Sequence, residues 1–380
     1  MYESIKILKT LNYIPPDIMC AQDYELLAPD FIAPDRFAYI AGGSGHDATL
    51  RHNRTSFSDL SVVPRVLRNV EQGSTTTDLL GQQLQHPILL APVAYQTLVH
   101  PDGEIATAYA ARSTDSCMVA STLSSKTLED IAEHAGPERW FQLYFQPDFN
   151  DTKKLLNRSV ATGYRAIVVT LDAAVQQPSR RALSANFSFP DDVQAANLMA
   201  QGPSTADPIN PRHIFKRYMQ NVPTREQLAW LIEQSPVPVL IKGVLHQDDA
   251  LELKALGAAG VIVSNHGGRT LDGVPASLAM LPSIRAAVGD DFPLLLDSGI
   301  RSGGDIFKAI ALGADAVLIG RLQVYALSVA GALGVAHMLK LLREELELTM
   351  AVAGCSSLDD IKTADMNRVL LTPKQETRSC

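Results

Sequence analysis

Short apolar runs rich in Val, Ile and Leu recur along the chain, and most are followed by a stretch with the 3.6-residue periodicity of an amphipathic helix. The runs are Pro87–Ala94, Cys117–Thr122, Trp140–Phe145, Ala166–Asp172, Val237–Val244, Gly260–His266, Phe292–Gly299 and Ala316–Arg321. Each is nearly continuous in hydrophobicity, the signature of a strand whose outer side is hidden by crossover helices. Polar residues gather at the C-terminal ends of these runs: Gln142 and Tyr144, Thr170 and Asp172, Lys242, His266, Asp297, Arg321. Eight parallel strands with intervening helices predict a closed (β/α)8 TIM barrel, whose polar strand ends would share one mouth, where active sites of this fold lie. A doubly wound open sheet is the alternative.

The pattern assigns the 380 residues to one domain. Residues 1–86 are expected to form an N-terminal helical cap, 87–363 the barrel and 364–380 a tail. The longest interruption, Arg180 to Pro223 after the fourth strand, is enriched in Pro, Gly, Asn, Ser and Asp around Gly202–Pro211 and is the candidate lid over the mouth. An apolar share of 46% with 19% charged residues is globular, and no charge-free apolar run reaches the ~20 residues of a bilayer span. The start Met1-Tyr-Glu-Ser-Ile-Lys6 lacks signal-peptide features, so a cytoplasmic protein without a membrane anchor is expected. Cys20, Cys117, Cys355 and Cys380 show neither metal-ligand nor redox spacing, so reduced thiols and no metal are expected. A net charge of −8 argues against a nucleic-acid surface and leaves room for a local cationic pocket that suits a small anion.

Candidate chemistry sits at the strand exits. In Ser264-Asn-His-Gly-Gly-Arg-Thr-Leu-Asp272, a histidine able to take a proton and an arginine able to hold an anion flank two glycines that permit close backbone approach. A helix-capping loop would use the same residues to satisfy carbonyls. Asp297-Ser-Gly-Ile-Arg-Ser-Gly-Gly-Asp305 and Ile319-Gly-Arg321, after strands seven and eight, have the glycines and arginines of a barrel phosphate site. Lys242 fits two chemistries, a Schiff-base nucleophile in an aldolase acting on a phosphorylated substrate or a fixed cation beside a cofactor that becomes negative on reduction.

Ala91-Pro-Val-Ala-Tyr-Gln96 with His100-Pro-Asp-Gly-Glu104, Phe141-Gln-Leu-Tyr144, Ile241-Lys-Gly243, Ser264–Asp272 and Asp297-Ser-Gly-Ile-Arg301 together resemble the FMN-dependent 2-hydroxy acid oxidoreductases, which include lactate oxidase, glycolate oxidase and mandelate dehydrogenase. The match runs in order from about Phe37 to Leu358. The resemblance implies FMN as cofactor, a small (S)-2-hydroxy acid as substrate, O2 or another electron acceptor, and a homo-oligomer, a tetramer in the family. It implies His266 as catalytic base, Arg269 and Arg181 as a carboxylate fork, and Tyr39 and Tyr144 as hydrogen-bond partners of carboxylate or hydroxyl. Val93 and Ala94 with Ser121, Gln142 and Thr170 would cradle the isoalloxazine. Lys242, beside Ser264, would lie near N1, and Arg301, Gly320 and Arg321 would take the phosphate. Asp297 would orient His266 or bind the ribityl chain.

The chain departs from the family at several positions. Ser298 replaces a usual Gly and Thr270 a usual Gln. Leu123 stands where glycolate oxidase-like members carry Trp, which with Tyr95 favours aryl or branched acids over glycolate. Ala94, where mandelate dehydrogenases have Gly, leans towards oxidase behaviour.

Overall fold

A computed structural model of the chain describes residues 7–198, 222–363 and 369–371. Each of the eight apolar runs contains a barrel strand: β4 (Ile88–Leu90), β5 (Met118–Ser121), β6 (Arg139–Leu143), β7 (Ile167–Thr170), β8 (Val239–Val244), β9 (Gly260–Val263), β10 (Leu294–Leu296) and β11 (Ala316–Ile319), only Arg139 lying one residue outside its run. They pair in chain order and β11 closes on β4, all parallel, which excludes the doubly wound sheet. The strand period of two decides the packing. Leu89, Val119, Trp140, Val168, Leu240, Ile262, Leu295 and Leu318 fill the barrel interior, while their neighbours Leu90, Ala120, Phe141, Val169, Ile241, Val263, Leu296 and Ile319 pack with the helices.

The N-terminal segment is more than a helical cap. Helices Asp23–Phe31, Pro34–Ala41 and Ala48–Ser58 are followed by β1 (Leu60–Val62) and an antiparallel hairpin of β2 (Thr77–Leu79) and β3 (Gln82–Leu84). Leu79 and Leu84 belong to the interior cluster, and the Trp140 indole N–H donates to Gln82 Oε1 at 3.1 Å. The hairpin therefore closes the end of the barrel opposite the mouth, while the helices reach the mouth itself. The described part of the expected tail is a paired strand, β12 (Val369–Leu371), antiparallel to β1.

After β7 the candidate lid starts with a short helix, Arg180–Ser184, capped by Ser179 Oγ accepting from the Ala182 N–H. Its central part, 199–221, and the rest of the tail, 364–368 and 372–380, lie outside the described residues. Helix Arg321–Ala353 is long and apolar enough to cross a bilayer, yet 78% of its most apolar window is buried inside the fold. Its backbone breaks at Ala330 and Gly331, so it is two helical pieces packed end to end.

Candidate active site

The barrel mouth holds one cavity that gathers most of the singled-out residues. Tyr39, Val93, Ala94, Ser121, Leu123, Tyr144, Lys242, His266, Arg269, Asp297, Arg301, Gly320 and Arg321 all line it. Gln142, Thr170 and Ser264 lie buried immediately behind: Gln142 pairs in register with Ser121, Thr170 with Lys242, and Ser264 Oγ accepts from Lys242 Nζ at 2.7 Å.

His266 is held in the left-handed region (φ 58°), where a non-glycine residue is strained. Its turn is fixed by side chains: the His266 N–H donates to Ser264 Oγ, the Gly267 N–H to Ser298 Oγ, and the Gly268 N–H to Asn265 Oδ1. Asn265 in turn exchanges amide bonds with Asn53 of the cap at 2.7 and 2.8 Å. The imidazole Nδ1 lies 3.0 Å from Asp172 Oδ1. A carboxylate can only accept, so Nδ1 carries the hydrogen and Nε2 presents its lone pair to the cavity. Burial alone would raise the Asp172 pKa, but His266 and Lys242 outweigh it and hold the carboxyl below its ordinary value.

Here the structure corrects the sequence. Asp297 does not orient His266; it accepts from Lys242 Nζ at 3.0 Å and from Ser298 Oγ at 2.8 Å. Sequence reading noted Asp172 only as a polar strand-end residue, and two aspartates at two strand exits are indistinguishable without side-chain directions. The decisive signal was Gly243. A Cβ there would lie 2.5–2.9 Å from Asp172 Cβ, Cγ and Oδ1, so the glycine is what lets Asp172 lean past β8 towards the β9 histidine.

Lys242 is fully buried between Asp297 and Ser264. Burial disfavours its charge, yet Asp297 and Asp172 outweigh burial and keep the pKa above the ordinary lysine value. Held by Asp297 and Ser264, this lysine is placed as a fixed cation rather than as the free amine that the aldolase alternative needs.

Arg269 Nη1 donates to the carbonyls of Tyr39, Ile40 and Gly42, and the guanidinium lies 4.8 Å over the Tyr39 ring. These bonds all fall on Nη1, leaving Nε and Nη2 for an anion. Arg181 does not line the cavity. The short helix turns Arg181 towards Asp47 of the cap, 2.5 Å away, with its side chain 52% exposed, so the expected two-arginine fork is not assembled. Burial, with Asp172 next in weight, pushes the Tyr144 hydroxyl well above its ordinary pKa, which keeps it a proton-bearing donor. Phe187 and Phe189, which the sequence did not flag, close around the substrate wall: Phe187 stacks on Tyr39 at 4.4 Å, and Phe189 meets Tyr39 at 5.2 Å and Tyr95 at 4.8 Å.

The cavity also fits a flavin phosphate. Gln142 Nε2 and Thr170 Oγ1 are buried without a protein partner, as groups awaiting a ligand's ring carbonyls and N–H would be. Arg321 donates to the carbonyls of Ile40, Gly267 and Gly42 and has no carboxylate partner among the described residues, and burial, together with nearby Arg269 and Arg301, pushes its pKa down to about 10. Arg301 is oriented by a two-pronged pair with Glu25 at 2.7 and 3.1 Å. A Cβ on Gly320 would meet no atom within 4 Å, leaving open space where a phosphate needs it.

Residues 28–368 match the family model for FMN-dependent dehydrogenases. The chain belongs to that family. It is 59% identical to an L-lactate oxidase of Alicycliphilus denitrificans over 350 residues, 92% of this chain and 96% of the relative. It is 40% identical to a 4-hydroxymandelate oxidase of Amycolatopsis orientalis, over 88% of this chain and 94% of that one. A solved mandelate oxidase with benzoyl-formic acid superimposes with a TM-score of 0.83 at 39% identity, covering 92% of this chain and 97% of the other. The cofactor is FMN, and the reaction is oxidation of a 2-hydroxy acid to the 2-oxo acid.

Proposed function

We propose that this enzyme is an oxidase of (S)-lactate or a comparably small 2-hydroxy acid, with O2 as the electron acceptor. The observation that carries the substrate size is the aromatic enclosure: beyond Leu123 the cavity is bounded by Tyr95 and Tyr39, and Phe187 and Phe189 pack behind those two rings. The sequence expectation of a roomier pocket rested on Leu123 replacing an indole; Tyr39 and Tyr95, backed by the phenylalanines, still bound the cavity on that side. The high identity to a lactate oxidase supports the same reading.

In this mechanism Arg269 binds the substrate carboxylate through its free edge while Nη1 keeps the cap turn in place. Tyr144 donates to the carboxylate or the 2-hydroxyl, and Tyr39 lies under the guanidinium. His266 Nε2 takes the hydroxyl proton, and the charged Asp172 stabilises the imidazolium that results. Bound FMN supplies a two-electron acceptor for the hydride equivalent leaving the α-carbon. Lys242, paired with Asp297, would offset the negative charge that a reduced flavin carries, and Gln142 and Thr170 would help to hold that flavin. The cytoplasmic location and the homo-oligomer, a tetramer, remain part of the proposal.

The test is steady-state kcat/KM for lactate, glycolate, 2-hydroxy-3-methylbutyrate and mandelate, with H2O2 measured under air. Lactate should lead and H2O2 should appear stoichiometrically. A tenfold preference for mandelate would replace this reading with an aryl-acid oxidase, the reading that the mandelate oxidase likeness favours.

A further inference from the structure

Glu104 is fully buried at the first position of helix Glu104–Ser113, outside the cavity lining. A buried carboxylate needs a reason. Its Oε1 accepts two backbone N–H groups, from Gln96 and from Ser125, each at 3.0 Å. Gln96 follows Tyr95 in the loop after β4, and Ser125 lies two residues beyond Leu123 in the loop after β5. The same two loops are joined by the Tyr95 N–H donating to the Leu123 carbonyl at 3.1 Å. Tyr95 is left-handed (φ 53°), a conformation that persists only where its surroundings impose it. Gln96 is fastened again by accepting from Thr107 Oγ1 at 2.5 Å, on the helix that Glu104 begins. One carboxylate oxygen thus clamps together the two loops that present both members of the side-chain wall. Glu104 Oε2 is buried without a hydrogen-bond partner among the described residues, so the side chain's hydrogen bonds there all run through Oε1 to the two loops.

We propose that Glu104 is a positioning residue for substrate selection: it sets the separation of Tyr95 and Leu123 and thereby the size of side chain the enzyme accepts. This rests on the small-acid reading given above. Glu104 reaches no substrate atom itself; its effect passes through the backbone of both loops. Because the Tyr95 ring packs on Phe189, loosening the clamp also loosens the aromatic enclosure. The loss should therefore fall on discrimination. The proton-transfer dyad of His266 and Asp172 lies across the mouth on different loops and keeps its own bonds.

The experiment compares the FMN-loaded wild type with Glu104→Ala, Glu104→Asp and Glu104→Gln. Gln keeps an acceptor oxygen at the same reach, Asp is too short to hold both amides, and Ala removes the clamp. Should the Ala variant not fold, the Asp variant carries the test. Two readouts are taken: the ratio of kcat/KM for lactate over mandelate, and the ratio of the dissociation constant of benzoylformate to that of pyruvate, from the flavin absorbance shift. Both ratios should fall about tenfold or more in the Ala and Asp variants, the scale of one misplaced pocket contact, and return to within about threefold of wild type with Gln. Ratios unchanged in folded Ala or Asp variants would overturn the inference. A wild type that favours mandelate, or oxidises neither acid, would instead refute the small-acid reading on which it rests.

Discussion

Asp172→Asn isolates the pairing that the structure put in place of the expected Asp297 contact. The carboxylate lies 3.0 Å from His266 Nδ1 and is kept ionised by His266 and Lys242. Amide replacement removes a charged acceptor, whose hydrogen bond contributes about 1.5–3 kcal/mol, or roughly 10–150-fold in rate if it strengthens as the imidazolium forms. A second effect adds to it. The asparagine NH2 is able to donate to Nδ1, which moves the ring hydrogen to Nε2 and removes the lone pair that accepts the substrate proton; in a Ser-His-Asp triad the same exchange lowers kcat about 10⁴-fold. The expected loss for the flavin reduction step is therefore about 10²–10⁴-fold, or roughly 3–5 kcal/mol of barrier.

The assay is anaerobic stopped-flow bleaching of the flavin by saturating lactate, with FMN content checked by absorbance. FMN should remain bound, because the orphaned cradle atoms on Gln142 and Thr170 are untouched. Asp297→Asn is the paired control: it should leave the His266 tautomer intact and act through Lys242 instead. Reduction of Asp172→Asn within threefold of wild type, with FMN bound, would refute the dyad assignment. So would a larger loss of base function in Asp297→Asn.

Arg269→Lys should weaken pyruvate binding and slow reduction by about tenfold or more, because a point charge cannot both hold the cap turn and present a planar edge; unchanged constants would move the carboxylate site elsewhere. Lys242→Met leaves Asp297 buried without its cation, a loss of about 3–5 kcal/mol when one partner of a buried pair is removed, so Tm and FMN affinity should both fall; a Tm equal to wild type would show that the pair is not formed. The Asp172 pKa is lowered in the folded chain, so the stability it contributes is complete above the ordinary carboxylate value of about 3.9 and is lost as pH falls through the lower folded value. The Tm gap between wild type and Asp172→Asn should accordingly narrow below about pH 4, and a gap that widens there would contradict the sign. Leu123→Trp should lower kcat/KM for 2-hydroxy-3-methylbutyrate by about 1–3 kcal/mol of transition-state binding while sparing glycolate; equal losses would remove Leu123 from the side-chain wall.

The barrel strands were legible because parallel strands buried on both faces leave continuous apolar runs, and the mouth was legible because polar residues ended those runs. The β2–β3 hairpin was not, since its six strand residues carry little pattern and its function lies in a contact with Trp140 far along the chain. Tyr144, Lys242, His266, Asp297 and Arg321 were found by their positions at strand exits, and Tyr39, Val93, Ala94, Ser121 and Leu123 only through the family resemblance; the pairings were not found, because a strand exit specifies where a side chain starts and not where it points. Arg181 and Asp297 show the two ways this fails. Arg181 sits in a loop whose direction is set by a short helix, and Asp297 competes with Asp172 for the same histidine from an equivalent exit. A glycine decides the second case. Gly243 stands on the strand between β7 and β9 with φ 101°, and any side chain there would occupy the space that Asp172 uses to reach His266. The His266–Asp172 pairing was therefore written in the sequence as a missing Cβ on the strand between the two partners, next to Lys242.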